Sequence, residues 1–169
     1  MRMNLPVTQR ELDYPSDRML VSMTDTRGII THCNHSFVEV SGYSYEELIG
    51  QNHNLVRHPD MPSAAYKDMW RTIGAGHSWT ALVKNRCKNG DHYWVQANVT
   101  PILQDGKPQG YMSVRVKPTR QAIDAAAALY QQMREANDGA DCGFELKGGE
   151  VQYNKVRGIA GSLRRMSLS

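Results

Sequence analysis

Thirteen consecutive residues, Gly50-Gln-Asn-His-Asn-Leu-Val-Arg-His-Pro-Asp-Met-Pro62, concentrate the chemistry of this chain. They hold two histidines, one arginine, one aspartate, two asparagines and two prolines. Pro59 and Pro62 fix φ locally and bar a regular helix, so the segment reads as an ordered loop. Arg57 offers a rigid fork of donors and His58 a titratable ring, which together suit a phosphate or another anionic group. A proline-stiffened loop loaded with donors reads as a clamp for an anion or a cofactor.

Elements on either side must hold that loop. Residues 1–18 are polar, broken by Pro6 and Pro15, and read as an N-terminal cap. Met19–Thr24 and Ile29–Cys33 are strand-like on either side of the turn Asp25-Thr-Arg-Gly28, which predicts a hairpin. Asn34 or Ser36 can cap a short helix carrying Phe37, Val38 and Val40, closed by Gly42. Ser44-Tyr-Glu-Glu47 has a capping-box pattern and opens another, stopped at Gly50. After the loop, Pro62 suits the first turn of a third helix, with Ala65, Met69 and Ile73 on one stripe and Tyr66 and Trp70 beside it.

Beyond Gly76 the chain turns strand-like. Ser78–Lys88 and His92–Leu103 flank the hairpin signal Asn89-Gly90, and Gly110–Lys117 follows the turn Asp105-Gly-Lys-Pro108. The order predicts an α+β fold: a five-stranded antiparallel sheet, with short helices and the loop covering one face. Thr119–Ala136 reads as a linker helix, and the chain beyond Asn137 is Gly-rich and weakly patterned.

Composition narrows the class. With 169 residues and 40% apolar content, the chain supports one full domain with appendages. The formal charge of +3 gives no reason to expect a nucleic-acid partner. Cys33, Cys87 and Cys142 have no metal-ligand spacing and fit a reducing cytoplasm. The N-terminus lacks a secretory core, and no apolar run is long enough to span a bilayer. Lys147, Lys155, Arg157, Arg164 and Arg165 form a late basic group, either a solvated tail or a segment beside a membrane or partner.

The order of elements, with Gly42-Tyr43, Glu47-Leu48, Gly50 and Lys88-Asn-Gly-Asp-His-Tyr-Trp94, resembles a PAS domain. The segments Asn52–Pro62, Asp68-Met-Trp70, Trp79, Val83-Lys-Asn-Arg86 and Tyr111-Met-Ser-Val-Arg115 resemble more narrowly the FAD-binding PAS sensor domains of the bacterial aerotaxis-receptor family. That resemblance covers about residues 7–120 of the chain. It implies noncovalent FAD and redox sensing in chemotaxis; with no G-x-G-x-x-G fingerprint and no acid–base pair in the sequence, enzymatic activity is not expected. It also implies a cytoplasmic domain of a homodimeric receptor, anchored in the inner membrane through a segment absent here. Residues 19–118 would be the sensor, and 119–169 a linker helix and basic tail toward a HAMP and signalling region. The reactive-cysteine motif of the LOV branch is absent, so adduct photochemistry is not expected.

FAD needs flat apolar walls, paired donors and acceptors for its ring edge, and positive donors for its phosphates. Trp79, Ala81, Val83 and Asn85 share one strand face, and Asn85 suits the ring edge, unless it is an edge residue facing water. Trp79 can aim its indole N–H at a flavin nitrogen or serve as a core tryptophan. Asn34 stands at the pocket mouth or caps a helix. His53 is a candidate for the ring edge, Arg57 and His58 for the phosphates or adenosine, with Asp60 orienting Arg57. Trp70 has core spacing and can shape the pocket wall. Tyr93 belongs to the inward set of its strand, while Met112 and Val114 are expected to line the floor. The alternating set Trp94, Gln96 and Asn98 is assigned to the outer face, as a docking surface for the signalling region. Two other readings remain: a haem-binding PAS oxygen sensor with an axial histidine, and a cofactor-free PAS dimerisation module.

Overall fold

The computed structural model describes residues 4–136 and 143–153. Strands β1 (Leu20–Thr24), β2 (Ile30–Cys33), β3 (Trp79–Arg86), β4 (His92–Gln104) and β5 (Lys107–Val116) form one antiparallel sheet in the order β2-β1-β5-β4-β3. The β1–β2 hairpin and the β3–β4–β5 meander are each local in sequence. They meet where β1 pairs with β5. This is the expected α+β arrangement.

Helices α1 (His35–Ser41), α2 (Tyr45–Leu48) and α3 (Ser63–Gly74) lie between β2 and β3 in the chain. Ser44 and Glu47 form both halves of the capping box that opens α2. The helices bury Phe37, Val40, Leu48, Ala65 and Ile73 in the common core. The N-terminal cap runs beside β4, with Leu12 N–H donating to His92 O at 2.7 Å and His92 N–H to Arg10 O at 3.0 Å. The cap also fastens the clamp loop, because the Asn4 amide donates to both Asn54 O and Arg57 O at 2.8 Å.

Register decides which side chains face the helices, since directly opposed residues share a face. Trp79 pairs with Val99, Val83 with Val95 and Asn85 with Tyr93, so these are inward as expected. The β5 strand departs from expectation. Val99 pairs with Ser113 and Ala97 with Arg115, so Tyr111, Ser113 and Arg115 face inward, while Met112 and Val114 face outward. Met112 is 38% exposed and forms no floor. The cause is a bulge: Leu103 pairs with Pro108 but Ile102 pairs with Gly110, which leaves Gln109 as an extra residue. Without it the hairpin register would have set Met112 opposite Val99. One inserted residue flips every later side chain on the strand.

The outer face is also corrected. Helix α4 (Arg120–Glu135), capped by Thr119, folds back on the sheet. Trp94 stacks on Tyr130 with centroids 6.3 Å apart and planes 13° from parallel, and the Tyr130 hydroxyl donates to Leu82 O at 2.6 Å. Trp94 is therefore buried under the chain's own helix, and only Gln96 and Asn98 of its set remain exposed. The physical reason lies in α4 itself, whose Ile123, Tyr130 and Met133 make an apolar stripe that needs cover.

A second hairpin, β6 (Phe144–Lys147) with β7 (Glu150–Tyr153), occupies a stretch that showed little pattern. Cys142, Lys155, Arg157, Arg164 and Arg165 lie outside the described residues, as does most of the expected tail.

Candidate functional site

The loop from Gly50 to Pro62 crosses from one edge of the sheet toward the other. At one end His53 N–H donates to Gly28 O at 2.8 Å, and a 3-10 turn over His53–Val56 is capped by the Asn52 side chain. At the other end the backbones of Arg57 and Asn85 bridge, and Lys84 Nζ donates to Asp60 at 2.8 Å. Between this loop, α3 and the inner face of the sheet lies a cleft. Its walls are largely apolar and aromatic, with Val56, Ile73, Trp79, Val83 and Val99 among them.

Of the residues expected to hold a ligand, His53, Arg57, Trp70, Trp79 and Asn85 line this cleft. Arg57 lays its guanidinium 3.7 Å above the Tyr66 ring. Asn85 is 3% exposed, and among the described residues only a marginal contact with the Tyr93 phenol engages its amide. Trp70 stands at the mouth, packed edge-on against Tyr111 with centroids 5.6 Å apart. Trp79 is buried in the wall, but its indole N–H is committed to Asp68 Oδ2 at 2.8 Å. That bond corrects the expectation of a donor aimed at the ligand, because Asp68 is a buried carboxylate one helix away and the stronger acceptor.

The other expected residues lie elsewhere. Asn34 is a helix cap: its Oδ1 accepts from Phe37 and Val21 N–H, and its amide donates to Met19 O. His58 is buried on the far side of the loop, edge-on to His92 with centroids 5.9 Å apart. It follows Arg57, whose backbone is extended, so the two side chains diverge. Asp60 turns to Lys84 and does not orient Arg57. Tyr93 packs edge-on against Tyr14 beyond the cleft lining, and Met112 points away from it.

The structure adds Arg115, which sequence parity had placed outside. It is 3% exposed, donates to Ser22 Oγ at 2.8 Å and to His53 Nε2 at 2.6 Å, and lies 4.9 Å from the Phe37 ring centroid. A guanidinium only donates, so His53 Nε2 must carry its lone pair there. Burial, and then the Arg115 charge, hold His53 well below the ordinary histidine range. Burial lowers Arg115 to about 10, which leaves it charged at neutral pH. Among the described residues no carboxylate pairs with Arg57 or Arg115. The segment Tyr111-Met-Ser-Val-Arg115 carries part of the family resemblance, and that match is the signal in the sequence that points to Arg115.

The Tyr66 hydroxyl, on a cleft-lining residue, is buried without a hydrogen bond. Cys87, in contrast, lies outside the cleft, donates to Val40 O and is pushed up to about 12, chiefly by burial. No cluster of ligands suited to a metal ion occurs among the described residues.

Comparison with known proteins gives a family and several relatives. The family described as the PAS fold matches residues 30–115. The aerotaxis receptor of Escherichia coli (strain K12) is 52% identical over 127 residues, covering 75% of this chain and 25% of the receptor. The nitrogen fixation regulatory protein of Klebsiella pneumoniae is 32% identical over 114 residues, 68% of this chain and 22% of that protein. The chain thus spans about a quarter of the length of these curated relatives. Among solved structures, the dark state of the blue-light photoreceptor Aureochrome1 LOV superposes with a TM-score of 0.58 at 19% identity, covering 69% of this chain and 85% of that one. A PAS domain from Colwellia psychrerythraea superposes at 0.55 with 22% identity, covering 60% and 87%.

Proposed function

The chain belongs to the PAS fold family, and on that premise we propose that its cleft binds FAD noncovalently and that the domain senses redox state for aerotaxis signalling. The observation that carries this reading is the pair of guanidiniums, Arg57 and Arg115, with no carboxylate partner among the described residues, in a cleft whose walls are largely apolar and aromatic. Positive charge buried at Arg115 and half-buried at Arg57 calls for an anionic ligand. The aromatic walls call for a flat one, and a flavin dinucleotide is both. The buried amide of Asn85 and the unpartnered hydroxyl of Tyr66 offer complementary groups for its polar edges. The similarity to an aerotaxis receptor supports the biological setting.

Bound flavin would supply reversible uptake of electrons and protons. The chain's own residues do the rest. Arg57 and Arg115 place positive charge on the ligand, His53 stays neutral and holds Arg115, and Trp79, Val83 and Ile73 exclude water. Haem is disfavoured because the cleft histidine, His53, already spends Nε2 on Arg115. In the longer receptor the domain would be cytoplasmic, with residues 119–169 leading toward a HAMP and signalling region, a membrane anchor and a second protomer.

An absorption spectrum of the purified protein tests the proposal. A two-banded flavin spectrum, with FAD released intact on denaturation, is the expected result. A Soret band, or no ligand even after incubation with FAD, would overturn it.

A further inference from the structure

Asp68 on α3 is 2% exposed, and four donors converge on its carboxylate. Trp79 Nε1 donates to Oδ2 at 2.8 Å and Arg71 to Oδ1 at 2.9 Å. The other two donors are the backbone N–H groups of Gly148 and Gly149, at 3.0 and 2.8 Å. A buried carboxylate is tolerated only when its lone pairs are met, so each donor matters to the others. Two of them come from the tip of the β6–β7 hairpin, on the far side of α4 in the chain.

That tip is shaped for this socket. Gly148 and Gly149 have φ of 62° and 89°, the left-handed region open chiefly to glycine. This two-residue turn aims both N–H groups at one carboxylate. A Cβ on Gly149 would fall 1.9 Å from Thr80 O, so the tip seats flush against β3. Thr80 N–H donates to Gly148 O at 3.3 Å, and Arg71 reaches Leu146 O at 3.2 Å. Phe144 and Leu146 are each only 4% exposed in the seated hairpin.

We infer that Asp68 is a positioning residue that ties the Trp79 wall of the cleft to the β6–β7 hairpin, and that the hairpin is a latch reporting the state of the cleft. Trp79 and the hairpin tip share one acceptor oxygen, Oδ2. A shift of the indole changes the acceptor available to Gly149, and release of the hairpin leaves Trp79 with a less constrained partner. The coupling through Asp68 stands on this geometry alone. Its control by redox state rests on the FAD reading above.

Gly149→Ala tests the coupling without touching Asp68 or the cleft. Hydrogen exchange of the amides in Phe144–Tyr153 should quicken by at least about tenfold. The indole N–H resonance of Trp79, identified by its loss in Trp79→Phe, should shift. Asp68→Asn, which turns one acceptor into a donor, should do both while far-UV circular dichroism stays native. Unchanged hairpin protection in Gly149→Ala, or a released hairpin with an unmoved indole resonance, overturns the coupling. Exchange in the flavin-loaded protein, oxidised and then reduced under anaerobic conditions, tests the latch. Equal hairpin protection in both states overturns redox control, whereas failure to bind flavin overturns the cofactor reading and leaves the Asp68 coupling to be judged on the variants.

Discussion

Arg115 reaches from β5 to His53, its guanidinium 2.6 Å from Nε2, so the deepest cation of the cleft is held by a neutral ring. Protonating that ring would set two positive charges against each other in a buried place. His53, His58 and His92 are all held below the ordinary histidine value, mainly by burial, with His58 at about 4.

The sign of the pH dependence follows. An unfolded histidine binds its proton near pH 6.5, while these folded ones bind it only at lower pH. The unfolded state therefore holds more protons in that window. Stability should be full above about pH 6.5 and fall as pH drops toward about 4. Urea midpoints at pH 7.5 and pH 5 should show the loss, and His58→Gln should flatten it. A midpoint that does not move between those values would count against neutral buried histidines.

Arg57 is half-buried in the cleft lining, its guanidinium over the Tyr66 ring. Arg57→Ala should weaken FAD binding by roughly 10- to 100-fold, the worth of one charge-assisted contact. Arg57→Lys should fall between, because a lysine lacks the flat fork that stacks on a ring. Titration of flavin-free protein with FAD gives the affinities, and equal values for all three proteins would remove Arg57 from the site.

The bulge at Gln109 makes neighbouring positions behave oppositely. Ser113→Phe should fill the cleft and abolish flavin retention, while Met112→Phe should retain it. Flavin-to-protein absorbance ratios after purification decide the matter. The reverse pattern would mean that β5 carries the unbulged register.

Removal of Trp94 should undock α4 from the sheet. Trp94→Ala should cost about 3–5 kcal/mol as a buried aromatic deletion. Tyr130→Phe keeps the stack and loses only the hydroxyl bond to Leu82, which costs about 1 kcal/mol. Chemical denaturation measures both, and limited proteolysis within Arg120–Glu135 should quicken only in Trp94→Ala. Equal, small effects would mean that the helix does not depend on this contact.

Much of the fold was legible because its signals are local. The capping box at Ser44 and Glu47, the turn at Asp25–Gly28 and the prolines of the clamp loop each act within a few residues. The inward parity of Trp79, Val83 and Asn85 was equally readable from strand alternation. Of the site, the loop and the β3 wall were visible, including Arg57 and His53. His58 and Asp60 were misplaced because composition marks a polar loop without saying which side each residue faces.

By itself, then, the sequence determined the order of elements, their caps and turns, the clamp loop and its donors, and the family. Only the tertiary structure decided the outcomes that depend on register and on contacts between distant segments. One bulged residue turned Arg115 inward and Met112 outward. The apolar stripe of α4 found its cover on Trp94, and Asp68 took the indole N–H of Trp79 together with two glycines some eighty residues away. Hydrogen-bond partners of buried groups are settled by what arrives beside them, and a one-dimensional pattern carries little information about arrivals.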